Sequence, residues 1–310
     1  MNRIVVSQDT NPCYNLALEE TLLSQADSGT MLYLWVNRPC VVLGRNQNPY
    51  MECDMEYLKA CHIRLVRRKS GGGAVYQDTG NLNYTFINRE GEGSREMQRR
   101  VLLGMLEELG MEASCSGRND ILVNGRKISG QAAYCEGGNE YLHGTLMVSV
   151  DLRHLADSLR PSRMKLESKG IRSVAGRVIN MAECAAGVTV NQVMECLMRQ
   201  FFLVYGPSRP VIYKDESQGR PRQQDVYESR EWIVDSCPGY TACLELPFMD
   251  GILKLRLQVK EGRIVNIQGS SDSLLCSGID WIQNAFQGQP FDEEQIIKRI
   301  RERGNKDERI

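Results

Sequence analysis

The chain has 310 residues, with 38 Lys+Arg against 39 Asp+Glu, three His and eleven Cys, and is 42% hydrophobic and 25% charged. This length predicts one large domain or a domain with a smaller companion, and such a chain buries ~75% of its unfolded surface without help from disulfides or a structural metal. The formal charge of -1 argues against a general nucleic-acid binder, whose affinity comes from a broad cationic face. The longest apolar runs, Met31 to Val36 and Phe201 to Tyr205, are too short to span a membrane.

Asn11-Pro12 opens a helix with Leu16, Leu18, Leu22 and Leu23 mostly on one face, ending before Ser28-Gly29. Met31 to Val36 and Val41 to Leu43 read as two strands around a turn at Arg38-Pro39. A helix through residues 51–60 and a strand from Ile63 to Val66 come next, then a strand from Leu82 to Ile87. Ser94 to Leu109 is an amphipathic helix closed by Gly110. Ile121 to Val123, Lys127 to Ala133 and Leu142 to Val150 read as strands turning at Asn124-Gly125 and Gly137-Gly138, the first of these the best hairpin signal in the chain. Lys214 to Asp225 is polar and rich in Pro, Gly and Gln, hence a surface loop. Beyond it come a helix around Glu228 to Val234, a strand over Ala242 to Leu246, a hairpin from Ile252 to Ile267 turning at Glu261-Gly262, and helices near Ile279 to Phe286 and Asp292 to Glu302. The pattern predicts a boundary near Ser236, with domains 1–236 and 237–310. The charged tail from Arg299 to Arg309 reads as a solvated helix end.

The cysteines are odd in number, include no C-x-x-C pair, and have no His neighbours at zinc-site spacing, while the N-terminal MNRIVVSQDT is no secretory signal. Free thiols in a cytoplasmic protein are the expectation.

The densest chemical signal is Arg67-Arg68-Lys69-Ser70-Gly71-Gly72-Gly73-Ala74-Val75-Tyr76. Consecutive glycines let backbone N–H groups approach an anion, and an adjacent guanidinium can clamp its charge. Triple glycine alone would read as a flexible connection; the cationic prefix favours an anion site. Neither a Walker loop nor a G-x-G-x-x-G fingerprint is present. A second signal is Gly117-Arg118-Asn119-Asp120 with Gly125-Arg126-Lys127-Ile128-Ser129-Gly130, where Lys127 is either a surface strand lysine or a cation aimed into a cleft with Arg68. A third is His143-Gly144-Thr145-Leu146, whose histidine alone would read as a satisfied structural residue. Positive charge is expected to gather at Arg64, Arg67, Arg68, Lys69 and Lys127.

Taken in order, RRKSGGGAVYQDTGNLNYTF, GRNDI, GRKISGQA and HGTL, with NLALEE near the start, SKGIRSV after Lys165 and DGILKLRLQVKEGRI…SDSL near the end, resemble the lipoate–protein ligase A family over nearly the whole chain. The resemblance implies an α/β (α+β) fold: a catalytic domain with the mixed sheet of class II synthetase-like and biotin-ligase-like cofactor transferases, plus a small α+β accessory domain. It implies activation of (R)-lipoate with ATP and Mg²⁺ to lipoyl-AMP, as in salvage of exogenous lipoate. Transfer would then go to a lysine on lipoyl domains of 2-oxoacid dehydrogenase acyltransferase subunits or on the glycine-cleavage H protein. Carboxylate attack on an α-phosphate brings like charges together at about 4 kcal/mol per pair at 4 Å and an effective dielectric near 20. Lys127 would be the fixed cation that offsets this. Arg68 and Ser70 would bind the acyl-adenylate, and Gly73, Ala74, Val75 and Tyr76 would contact the nucleotide. Asn81, Asn83 and Asp120 would hydrogen-bond adenylate or place metal, with Asp120 the metal ligand, and His143 would line the acyl pocket.

Some positions depart from the family pattern. Gln77 stands where His is common, Ser173-Val174-Ala175-Gly176-Arg177-Val178 lacks one cation, and the chain is shorter after Ser273 than the longest relatives. The loop after Gly170 and the accessory domain are expected to shift when adenylate forms. Two rival readings remain. One is an ATP-independent octanoyl or lipoyl transferase with Cys115 as nucleophile, activated by Arg118. The other is a non-catalytic module that holds an acyl group or a carrier.

Overall fold

The run MLYLWV contains no polar residue because it is covered on both faces. Leu32 and Leu34 point to one hydrophobic core, and Met31, Tyr33 and Trp35 to another. The computed structural model describes residues 1–115, 119–160, 177–236, 242–248, 251–260, 263–271 and 281–307. Gly117-Arg118, the motif at residues 168–176, the Glu261-Gly262 turn, Ser273, Cys237 and Cys276 lie outside them.

Among the described residues, eleven strands precede the C-terminal hairpins: β1 (Arg3–Ser7), β2 (Met31–Val36), β3 (Cys40–Leu43), β4 (Arg64–Arg67), β5 (Val75–Gln77), β6 (Asn81–Arg89), β7 (Ala113–Cys115), β8 (Asp120–Val123), β9 (Arg126–Glu136), β10 (Asn139–Met147) and β11 (Ile212–Lys214). Eight of them form one mixed sheet in the order β11-β1-β2-β6-β10-β9-β8-β7, parallel at β11-β1-β2 and antiparallel beyond. The predicted pair around Arg38-Pro39 separates: β2 joins the large sheet, while β3 centres a second sheet, β4-β3-β5.

Helices Arg95–Glu108 and Val190–Tyr205 cover one face of the large sheet through Val101, Leu102, Met105, Leu106, Val193, Leu197 and Phe201. Helix Pro12–Ser24, N-capped by Asn11, covers the other together with the small sheet. The helix expected through residues 51–60 is two, Pro49–Glu52 and Met55–Ala60, because the Asp54 carboxylate accepts from Tyr57 N–H and starts a new helix. The predicted loop from Lys214 to Asp225 begins as strand β11 on the sheet edge.

Strands β12 (Ala242–Phe248), β13 (Gly251–Lys260) and β14 (Arg263–Ser271) form an antiparallel sheet. Leu253, Leu255 and Leu257 alternate into a separate core with Ile282, Phe286, Ile296 and Ile300 of helices Trp281–Phe286 and Glu293–Asp307.

Candidate active site

The alternation of β6 creates a polar strip. Leu82, Tyr84 and Phe86 face the two-helix core, so Asn81, Asn83 and Thr85 share the opposite face. Across β10, Asn83 is in register with Thr145 and Thr85 with His143. With Thr85 buried beneath, Asn83, Thr145 and His143 of these pairs line the floor of a cleft walled by the glycine loop, β9 and the accessory sheet. Its volume, about 230 Å³, is far beyond the roughly 30 Å³ of one ordered water and suits a ligand.

Arg68 leaves the end of β4 and curls under the glycine loop. Its guanidinium donates to Ser70 Oγ at 2.9 Å, Val42 O at 3.1 Å, Gly71 O at 2.6 Å and Gly73 O at 2.8 Å. Burial pushes its pKa down to about 10. Arg68 is therefore the loop's internal scaffold as well as part of the cleft wall. Gly72, at φ 88°, supplies a backbone conformation closed to most side chains. A Cβ on Gly44 would collide with Gly72 O, so the loop lies directly on β3's end.

Ser70 is fully buried below the cleft. Its hydroxyl meets His143 Nε2 at 2.8 Å, His143 Nδ1 meets Glu19 Oε1 at 2.9 Å, and Thr85 Oγ1 donates to that same oxygen at 2.6 Å. His143 also packs against Tyr141 in a tilted ring contact, with centroids 4.8 Å apart. It is thus both hydrogen-bonded through its two nitrogens and part of the cleft lining. A line of polar contacts links the NLALEE helix to the glycine loop.

Lys127 reaches the cleft through a β-bulge. The β8–β9 register shifts so that Ile121 pairs with Ser129 but Leu122 with Lys127, leaving Ile128 as the extra, buried residue. Lys127 Nζ lies 2.8 Å from Asp120 Oδ1, and Arg177 Nη2 lies 2.9 Å from Asp120 Oδ2. The amine passes over Gly130, where a Cβ would sit 2.6 Å from it. Asp120 was expected to place a metal, but both its oxygens face cations, and no group of three His, Cys, Asp or Glu converges among the described residues. It is a buried counter-ion to two cations, and this pairing does not fit a protein-held Mg²⁺ on Asp120.

Gly73, Ala74, Val75, Asn83, Asp120, Lys127 and His143 line the cleft together with Arg68. Three other expected residues do not, Ser70 lying buried below it. Tyr76 points to the opposite face of β5, where its ring lies 6.1 Å from that of His154, because strand neighbours alternate and Val75 takes the cleft side. Asn81 is buried one pleat away and donates to Asn83 Oδ1 at 3.2 Å. Gln77 reaches the cleft and accepts from Asn37 Nδ2 at 2.8 Å, an amide contact with no proton to exchange.

The expected cluster of positive charge is dispersed. Arg67 is wholly buried and donates to carbonyls of Gly44, Arg45, Trp232 and Ile233. Lys69 pairs outside the cleft with Glu20 at 2.6 Å and Glu136 at 2.9 Å, and Arg64 Nη1 bonds Asn11. Their places in the cleft are taken by Arg160, Arg177 and Lys254. Arg160 belongs to none of the quoted motifs and Lys254 to the accessory-hairpin motif, far in sequence from the glycine loop, and only the fold brings them to the cleft. Cys115 is exposed on edge strand β7 and is absent from the cleft lining, while Arg118 lies outside the described residues.

Comparison with known proteins identifies the family. Residues 11–202 match the lipoyl protein ligase A/B catalytic domain, and residues 238–307 the bacterial lipoate protein ligase C-terminus. Lipoate-bound LipL1 of P. falciparum is 26% identical with a TM-score of 0.75, covering 96% of this chain and 93% of its own. The bipartite lipoate protein ligase of Thermoplasma acidophilum, from a structural analysis of that ligase and its E2 lipoyl domain, is 24% identical with a TM-score of 0.66 over 78% of this chain and 99% of its own. A lipoate-protein ligase A bound with ATP is 24% identical with a TM-score of 0.64 over 74% and 97%. With a catalytic-domain match across well over half its length and an accessory match at its C-terminal end, this chain belongs to the lipoyl protein ligase A/B family.

Proposed function

We propose that the chain is an ATP-dependent, AMP-forming lipoate–protein ligase, with a catalytic unit over residues 1–236 and an accessory unit over 237–310. The observation that carries this reading is the Lys127 ammonium, held by a buried carboxylate in a cleft whose wall is the glycine loop. A relative solved with lipoate and another solved with ATP support the two substrates.

Two balanced steps follow. A lipoate carboxylate oxygen attacks the α-phosphorus of ATP; an O–P bond forms, the bond to the bridging oxygen breaks, and pyrophosphate leaves. A neutral lysine amine then attacks the acyl carbon of lipoyl-AMP; the amide forms, the acyl–oxygen bond breaks, and AMP and one proton are released. Lys127 and Arg177 stand where negative charge from carboxylate and phosphate must be brought together, already oriented by Asp120. The cleft-facing side of the glycine loop, stiffened by Arg68 and Ser70, presents backbone to the adenylate. Asn83, supported by Asn81, offers a fixed polar group, and His143 closes the acyl end with its orientation set by Glu19. The acceptors are lipoyl domains of 2-oxoacid dehydrogenase acyltransferase subunits or the glycine-cleavage H protein. One relative is described together with its E2 lipoyl domain, which supports the first. A cytoplasmic setting suits the chain, whose described cysteines are all free thiols and whose described helices include none long and apolar enough to cross a membrane.

ATP–pyrophosphate exchange tests the reading. Wild type should exchange with lipoate present, and Lys127→Ala should lose at least about 10²-fold, the scale for removing a preorganised charge. Full exchange in Lys127→Ala would refute the mechanism, and no lipoate-dependent exchange in wild type would refute the function.

A further inference from the structure

The accessory sheet meets the catalytic unit with its polar side. Since Leu253, Leu255 and Leu257 of β13 enter the accessory core, the alternate residues Lys254 and Arg256 turn outward. Both donate to a single oxygen, Glu52 Oε1, on helix Pro49–Glu52 of the catalytic unit. The Glu52 side chain is only 10% exposed, and Glu52 and Lys254 line the same cleft as Lys127.

The two buried carboxylates of this cleft differ in one respect. Asp120 is matched by Lys127 and Arg177 of its own unit. The described partners of the Glu52 carboxylate all come from β13. Within the catalytic unit, Glu52 is thus a carboxylate on a substrate cleft that receives a lysine ammonium carried in from elsewhere. We propose that Glu52 binds the acceptor lysine of the lipoyl carrier, and that Lys254 is an internal occupant of that subsite.

This rests on the ligase reading and deepens it. An incoming ammonium enters a cleft that already holds Lys127 and Arg177, and like charges at such range repel. A carboxylate at the cleft wall offsets that repulsion and orients the lysine before it sheds its proton. The subsite is occupied by Lys254 while the accessory sheet lies against Glu52, so acceptor and Lys254 compete for one place.

The competition separates this role from simple docking of the accessory sheet. The full chain, supplied with preformed lipoyl-adenylate, is mixed with the apo lipoyl domain of a 2-oxoacid dehydrogenase acyltransferase subunit, and single-turnover transfer is followed against carrier concentration. Glu52→Gln should raise the carrier concentration for half-maximal rate about tenfold, the loss of one partly screened charge pair. Lys254→Met should lower it, and Glu52→Asp should recover part of the loss. Equal impairment in Glu52→Gln and Lys254→Met would overturn the proposal, because a contact that only docks the sheet loses as much from either side. Wild-type transfer by Glu52→Gln would also overturn it. The Lys254→Met arm stands even where Glu52→Gln fails to fold, since a higher half-maximal concentration there overturns it alone. A wild-type chain that transfers nothing from lipoyl-adenylate would bring down the ligase reading and this inference together.

Discussion

Replacing Asp120 with Asn keeps the shape of the side chain and removes the charge that two cations share. The carboxylate is 2% exposed, while Lys127 and Arg177 are 23% and 21% exposed, at 2.8 and 2.9 Å. Removing one partner of a fully buried pair costs about 3–5 kcal/mol. Residual solvation of the two cations discounts this to about 2–3 kcal/mol. For a unit of this size, about 2–4 °C per kcal/mol lowers the melting temperature by roughly 4–12 °C. Lys127 also loses its fixed position, and a displacement near 1 Å lowers pyrophosphate exchange about 10²-fold. Calorimetry and exchange assays with the full chain measure both effects. Saturating ATP should narrow the gap in melting temperature, since its phosphates supply negative charge to the same cations. A melting temperature unchanged to within about 1 °C, far below the size expected here, together with wild-type exchange, would refute the counter-ion role.

Gly130→Ala should act on the same lysine without changing charge. Its new Cβ, 2.6 Å from Lys127 Nζ, displaces the amine and should reduce the exchange rate about tenfold while barely moving the melting temperature; an unchanged rate would show that Lys127 has room to adapt. Tyr76→Phe should alter exchange less than about threefold, as expected for a ring outside the reacting groups, and a large loss would return Tyr76 to the nucleotide site. Glu108 joins the two covering helices, accepting from Gln200 Nε2 at 2.7 Å and Arg199 Nη2 at 2.6 Å. These contacts, Gln200 first, hold its carboxyl down at about 2. A depressed carboxyl pKa contributes stability above the unfolded value that is lost as pH falls through the folded one. Denaturant titrations should therefore show Glu108→Gln about 0.5 kcal/mol less stable at neutral pH, a discounted figure for so exposed a site. The difference should shrink as pH drops from about 4.5 towards 2; a constant difference would assign it to packing.

Much of the fold is written locally. Asn11-Pro12, Ser94 and Asn124-Gly125 are a cap, a cap and a turn whose chemistry acts within a few residues, and each sits where its spacing predicts. The helix Val190–Tyr205 is missing from the expectations although Thr189 and Gln192 form a capping box and Val193, Cys196, Leu197 and Phe201 mark its buried face; that signal is local and legible. Strands β1, β7 and β11 were harder, because three to five residues carry too little periodicity and owe their state to a neighbour across the sheet.

The site divides along the same line. Residue chemistry nominates the glycine loop with its cationic prefix as an anion site, while Lys127, Asp120 and His143 gain their expected roles only from the family resemblance of the ordered motifs. It could not say which way their side chains point. Pleat parity sends Val75 to the cleft and Tyr76 away from it, and the bulge at Ile128 aims Lys127. Contacts across large sequence separations make Asp120 a counter-ion through Arg177, bury Arg67 under residues 232–233, and bring Lys254 against Glu52. Local sequence determined the elements and the chemical inventory of this protein. Its tertiary structure decided charge pairing and access, because both depend on distances between atoms that the chain order leaves unspecified.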